Sequence, residues 1–260
     1  MRLSNASLRA LPALALLVSL LCPAPALAQL KVIISGGFSG PYEQLLPAFE
    51  RENALKVETG SGASQGNGPQ TIAAQLARGV PADVVILSRE GLSELIAAHR
   101  IAPATDVDLA QTPLGIAVRA GASKPEVGTV EAFRRVMTQA RLVAVPSSTS
   151  GIFLVKDVLP RLGIAEKTHV QATPRGAEAA ALVASGQADI AVMPVSEIVH
   201  APGVELAGVL AEDIQLHQVF AGAVVAGSGQ AEAAKRLLAF LASPRAAEAI
   251  RRGGMEPVAK

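Results

Sequence analysis

Ala77-Arg78-Gly79-Val80-Pro81-Ala82-Asp83-Val84-Val85-Ile86-Leu87 joins the end of a helix to a strand. Ile72, Leu76 and the alanines between them form a helical stripe that stops at Arg78-Gly79-Val80-Pro81, where Gly and Pro punctuate the pattern. From Val84 the run is apolar without alternation, as in a strand covered on both faces. Upstream, residues 30–34 read as a strand ending at Ser35-Gly36-Gly37-Phe38-Ser39-Gly40. A helix carrying Leu45, Leu46 and Phe49 follows, with Pro41 near its start. Residues 56–59 read as a second strand before a Gly/Ser-rich loop at 60–68, and residues 91–98 as a short helix. This β-α-β-α order predicts a largely parallel sheet with helices on both faces.

The alternation restarts after an apolar strand at 114–118. Helices are expected at 130–140, 151–162 and 177–184, and strands at 142–145, 170–172 and 188–193. A strand at 217–226 and helices at 231–242 and 245–252 close the chain. The expected fold is α/β: two Rossmann-like lobes with mixed, mostly parallel sheets, joined by the crossing strands 114–118 and 217–226. Lobe I takes residues 29–115 plus 220–260, and lobe II residues 116–219. One continuous sheet is the alternative.

Composition narrows the function classes. Of 260 residues, 50% are hydrophobic and 17% charged, with 23 Lys+Arg against 22 Asp+Glu. That balance is unlike a disordered tail and lacks the basic excess of a nucleic-acid binder. The single Cys excludes a disulfide framework and a Cys-based zinc site, and His99, His169, His200 and His217 are scattered, so no metal is implied. Arg2 and Arg9, the apolar run 11–21 and Ala26-Leu27-Ala28 read as a cleavable secretory signal over residues 1–28. Cleavage would leave a periplasmic protein with no membrane anchor.

Chemistry is expected in the loops beyond the strand ends, where open α/β sheets bind ligands. Three of them are rich in hydroxyls and glycine: Ser35-Gly36-Gly37-Phe38-Ser39, the Gly60–Gly66 loop with Ser64 and Gln65, and Ser147-Ser148-Thr149-Ser150-Gly151. Ser88 closes the strand after Leu87. Hydroxyls, free N–H groups and helix N-termini suit a small anion. Arg175, opening a helix after the strand at 170–172, adds a planar fork for a carboxylate, with Arg89 a weaker counterpart. There is neither a P-loop Lys-Ser/Thr nor a dinucleotide fingerprint, so no cofactor is expected.

The 77–86 stretch, the signal and the lobe order resemble the type II periplasmic solute-binding family, and within it the molybdate-binding branch. The resemblance implies two lobes closing on a ligand. It also marks departures. The position where molybdate binders carry their first-loop Ser is Phe38 here, with Ser39 one place late. The second Ser position falls near Pro69 or Gln70, and the Tyr position is Met193. Loss of oxyanion donors with gain of Arg175 points to a larger carboxylate ligand.

Ser35-Gly36-Gly37-Phe38, the Gly66–Pro69 loop, Ser150-Gly151-Ile152 and Val195-Ser196-Glu197-Ile198 are similar to the aconitate isomerase subgroup of that family. The resemblance implies allylic proton transfer on a tricarboxylate, with Phe38 either an apolar wall over the ligand or a core residue. Glu197, Tyr42 and Glu43 are the proton-transfer candidates, unranked because nothing in the sequence shows which faces the cleft. The expected ligand-binding set is Ser35, Gly37, Phe38, Ser39, Ser64, Gln65, Ser88, Ser148, Ser150, Gly151, Arg175 and Met193. The alternative is a receptor for molybdate or another anion, with an ABC permease as partner. A monomer is expected in either case.

Overall fold

The computed structural model describes residues 29–258; the expected signal at 1–28 lies outside them. The first lobe is built from β1 (Gln29–Ile34), α1 (Gly36–Asn53), β2 (Lys56–Ser61), α2 (Ile72–Ala77), β3 (Val84–Ser88), α3 (Arg89–Ala97) and β4 (Val107–Thr112). The second follows with β5 (Leu114–Arg119), α4 (Val130–Gln139), β6 (Val143–Pro146), α5 (Thr149–Phe153), α6 (Leu159–Arg161), β7 (Val170–Thr173), α7 (Gly176–Ala184), β8 (Ile190–Pro194), α8 (Val195–Ile198) and β9 (Val204–Val209). The chain then returns to the first lobe through β10 (Gln218–Val224), α9 (Ala231–Leu241), α10 (Ala247–Arg252) and β11 (Glu256–Pro257).

Each lobe holds one mixed sheet, ordered β11-β4-β10-β3-β1-β2 in the first and β7-β6-β8-β5-β9 in the second. In the first sheet β1 runs parallel to β2 and β3, while β10 lies antiparallel between β3 and β4. The second repeats this plan: β6 is parallel to β7 and β8, and β5 is antiparallel to β8 and β9.

The opening stretch does three structural jobs. Gly79 takes the left-handed conformation after α2; its N–H donates to Leu76 O and that of Val80 to Gln75 O, a Schellman stop. Asp83 then fastens the strand edge: its carboxylate accepts from the Lys31 N–H at 2.8 Å and from the Ser228 hydroxyl at 2.6 Å. Beyond it, Val84 and Ile86 face one core with Leu30, Phe49 and Leu237, while Val85 and Leu87 face another with Ile72 and Leu92. Period-two packing on both faces is why the run carries no polar alternation.

Three strands were not anticipated: β4, β9 and the two-residue β11. β4 and β9 are only partly buried, so Asp108, Gln111, Glu205 and Gly208 interrupt their apolar pattern. Nor do the expected crossing strands cross. β5 sits wholly in the second sheet and β10 wholly in the first, and the chain passes between lobes at Pro113 and again through residues 210–217. Gln215 stitches the two passages: its carbonyl accepts from Leu114 N–H at 2.7 Å and its amide donates to Leu114 O at 3.2 Å. The helix expected at 151–162 is α5 and α6 joined by a π-helical turn, Leu154–Val158.

Candidate active site between the lobes

Three strand ends, β1, β6 and β7, deliver helix N-termini to one cavity. With the lobes closed as here it encloses about 20 Å³ and is lined by Ser35, Gly36, Gly62–Ser64, Pro146, Ser148, Ser150, Arg175, Gly176, Glu197, Gln218 and Phe220. The caps facing it are unusual. Ser35 and Ser148 hold cap positions for α1 and α5 with extended backbone, yet neither hydroxyl bonds a helix N–H. The hydroxyls of Thr71, Ser88 and Thr129 do accept from the helices they open. Arg175, ahead of α7, makes no cap bond either. First-turn N–H groups without side-chain caps, and the positive ends of α1 and α7, are therefore available to an anion.

Two buried polar groups aim at the same space without a partner: the Ser35 hydroxyl and the Gln218 carbonyl, on residues 4% and 3% exposed. A buried polar atom left unpaired costs roughly 1–3 kcal/mol, so both atoms call for a partner in that space, a water or a ligand. Gln218 escaped the sequence reading. It opens β10, whose antiparallel course brings its first residue beside the end of β3, and that direction is not written in an apolar run.

Glu197, on α8, is the one carboxyl lining the cavity among the described residues. Its carboxylate lies against the first residues of two helices: a Cβ on Gly36 would stand 3.0 Å from Oε2, and one on Gly176 would overlap it. No hydrogen bond reaches it. Burial, reinforced by the Glu178 charge and opposed by Arg175, pushes the Glu197 carboxyl up to about 7. Arg175 guards the entrance, half-exposed. Its Nε and Nη2 donate to Glu178 Oε1 at 3.2 and 3.0 Å, and its Nη1 donates across the cleft to the Ser61 hydroxyl at 3.0 Å.

The lobes are latched shut beside the cavity. Gln65 N–H donates to the Ser148 hydroxyl at 3.1 Å, and the Thr149 hydroxyl donates to Gln65 Oε1 at 2.7 Å. Ser88 and Thr149 share a buried 2.7 Å bond; because the Thr149 proton goes to Gln65 Oε1, Ser88 is the donor. The Ser64 hydroxyl accepts from Ser88 N–H at 2.9 Å. Gln65 and Ser88 thus hold the lobes together, and Ser64 supports them from the cavity wall.

Other expected residues lie elsewhere. Tyr42 points into the first-lobe core; its hydroxyl bonds Thr59 at 2.8 Å and burial raises the phenol to about 12, so it is no cleft base. Glu43 is exposed on the outer face of α1. Phe38 is fully buried in the core, and the apolar cavity wall is Phe220 instead. Gly37 admits that wall, since a Cβ there would overlap the Phe220 ring. Met193 packs beneath α7 against Gly176, supporting the floor without lining it. Gly151 lies against Pro146 O, where a side chain would collide. Ser39 donates to Gly36 O at 2.8 Å and faces outward. Arg89 is engaged by Asp106 and Asp108, away from the cavity.

Two α/β lobes latched over a cradle of helix N-termini define a solute-binding protein of the two-lobed kind. The chain belongs to the bacterial extracellular solute-binding protein family, whose profile matches residues 30–256. It is 36% identical to the aconitate isomerase of a Pseudomonas species over 95% of this chain and 97% of that protein. Among solved structures it resembles the periplasmic molybdate-binding protein of Azotobacter vinelandii (19% identity, 89% of this chain and 99% of that one, TM-score 0.66). It also resembles the sulfate-binding protein SubI of Mycobacterium tuberculosis (20% identity, 89% and 87%, TM-score 0.68).

Proposed function

We propose that the protein is an aconitate isomerase, interconverting trans- and cis-aconitate in the interlobe cavity by allylic proton transfer. The observation that carries this reading is Glu197, a carboxyl standing near neutrality inside a cavity otherwise built to hold an anion. For a receptor of a fully ionised oxyanion that residue is a defect. At ~5 Å and an effective dielectric near 20, ionised Glu197 repels each unit of ligand charge by about 3 kcal/mol, a cost a tricarboxylate meets too and for which only a role in proton transfer accounts. For proton transfer it is the required group, since a base works best with a pKa near the working pH. The near-full-length likeness to an aconitate isomerase points the same way.

In the step proposed, the Glu197 carboxylate takes a proton from the substrate methylene. The C–H electron pair moves into the adjoining C=C system as a dienolate. That charge spreads onto the substrate carboxylates, held by the first-turn N–H groups of α1, α5 and α7 and by Arg175. Glu197, now a neutral acid, returns a proton to the far allylic carbon, and the double bond has moved. No other carboxyl lines the cavity among the described residues, so one group serves as base and then acid.

The residues at 1–28 act as an export signal in this reading, and the enzyme works as a periplasmic monomer. The competing reading, a receptor handing an anion to an ABC permease, draws support from the fold shared with molybdate- and sulfate-binding proteins. Incubation of the purified protein with trans-aconitate in deuterated water, followed by NMR, tests the proposal. Appearance of cis-aconitate is expected. Unchanged substrate, with tight binding of molybdate or sulfate, would favour the receptor.

A further inference from the structure

Glu197 stands between two spaces. One side faces the inner cavity; the other faces an outer pocket of about 530 Å³, lined by Gly36, Ser39, Ala177, Ala181, Ser196 and His200 among others. Alanines make much of that wall, so little side-chain bulk stands between solvent and the back of the carboxylate. His200 is the other titratable residue on it.

The geometry along α1 brings the two groups near each other. Glu197 Oε2 lies 3.0 Å from where a Cβ on Gly36 would stand, and the His200 ring, at Nε2, lies 2.7 Å from where one on Gly40 would stand. Gly36 and Gly40 are four residues apart on one helix, hence on the same face with a rise of about 6 Å between them. Carboxylate and imidazole therefore sit side by side over a glycine stripe, about one helical turn apart. That is a gap one water can bridge. The Ser39 hydroxyl faces the same pocket, and the Ser196 hydroxyl beside Glu197 is buried without a partner, the kind of group that holds an ordered water.

We propose that the outer pocket is a proton port, through which a water held by His200 and Ser196 exchanges the proton on Glu197 with solvent while the lobes stay closed on substrate. The inference rests on the aconitate isomerase reading and adds a route that the isomerisation itself does not need. After abstraction the substrate proton sits on Glu197 as a carboxylic acid. It either returns to the far allylic carbon or leaves through the port as a solvent proton takes its place. Both outcomes balance, and only the second loses an isotopic label. His200 acts through Glu197 and not on the substrate. Glu178 and Arg175, approaching Glu197 from α7, affect its charge but do not line the outer pocket.

The test follows deuterium from methylene-labelled trans-aconitate into cis-aconitate in ordinary water, early in the reaction. Wild-type protein is expected to lose part of the label at each turnover. His200→Ala, which removes the relay, and Ala181→Leu, which fills the port from an exposed position, should each raise the retained fraction at least threefold, with kcat within about threefold of wild type. Retention unchanged in both variants, while isomerisation proceeds, would overturn the port. Absence of isomerisation in wild-type protein would instead overturn the functional reading, and the port with it.

Discussion

A carboxyl held near neutrality inside the fold makes stability depend on pH in a direction opposite to most acidic residues. The folded state binds the Glu197 proton more tightly than the unfolded chain, whose carboxyl titrates near 4.5. Stability from this group is therefore full below about 4.5, falls as pH rises, and is spent above about 7. Glu197→Gln removes the effect. Its melting temperature should match wild type at pH 4 and exceed it at pH 8, by an amount equivalent to at most about 3 kcal/mol; calorimetry at the two pH values checks the sign. In wild-type protein kcat/KM should rise with pH through about 7 as the base ionises. Arg175 predicts a different signature. Arg175→Ala should weaken tricarboxylate binding by about 1.5–3 kcal/mol, the range for a charged hydrogen bond, and less than a fully desolvated pair because the side chain is half-exposed and shared with Glu178. Titration calorimetry would read it; unchanged affinity would place Arg175 outside the ligand's reach. Arg175 and the Ser-rich loops were legible because chemistry and position coincide in the sequence. Glu197 was only one of three candidates, since whether a residue on a single helical turn faces a cleft depends on packing between α1, α7 and α8.

At the scale of elements, the latch explains why the second loop needs glycine. Gly66 has φ +110°, and a Cβ there would meet Ser147 O at 2.5 Å on the opposite lobe. Gly66→Ala carries both a strained backbone and a collision that only the closed form suffers. Ligand affinity should fall about tenfold or more, while the melting temperature without ligand changes by a few degrees at most; a drop in melting temperature with unchanged affinity would mean the loop matters to folding rather than to closure. The parallel β-α-β units could be read directly because their central strands, β3, β6 and β8, are buried on both faces. β4 and β9 could not, because a half-exposed strand rich in Gly, Ala and charge has no period to detect. The helix at Thr149–Arg161 was found, but its π-helical turn follows from packing and leaves no composition signal.

The whole molecule consists of two similar sheets joined at Pro113 and residues 210–217, with Gln215 binding the passages together and the site where the lobes meet. The two-lobe plan was visible in the restart of alternation after residue 114; the position of the crossings was not, since an apolar strand looks the same whether it spans lobes or stays in one. The fold is shared with proteins that bind molybdate and sulfate, so fold alone does not decide between binding and turnover. In the proposed reading Glu197 favours turnover, because proton transfer needs a base. The decisive measurement therefore pairs turnover with binding in Glu197→Gln on trans-aconitate. With the negative charge gone and the cradle intact, the variant should bind trans-aconitate at least as tightly as wild type by calorimetry, while its isomerisation rate falls by a factor of about 10²–10⁴. Wild-type turnover persisting undiminished in the variant, or its absence from both proteins despite tight binding, would contradict the account.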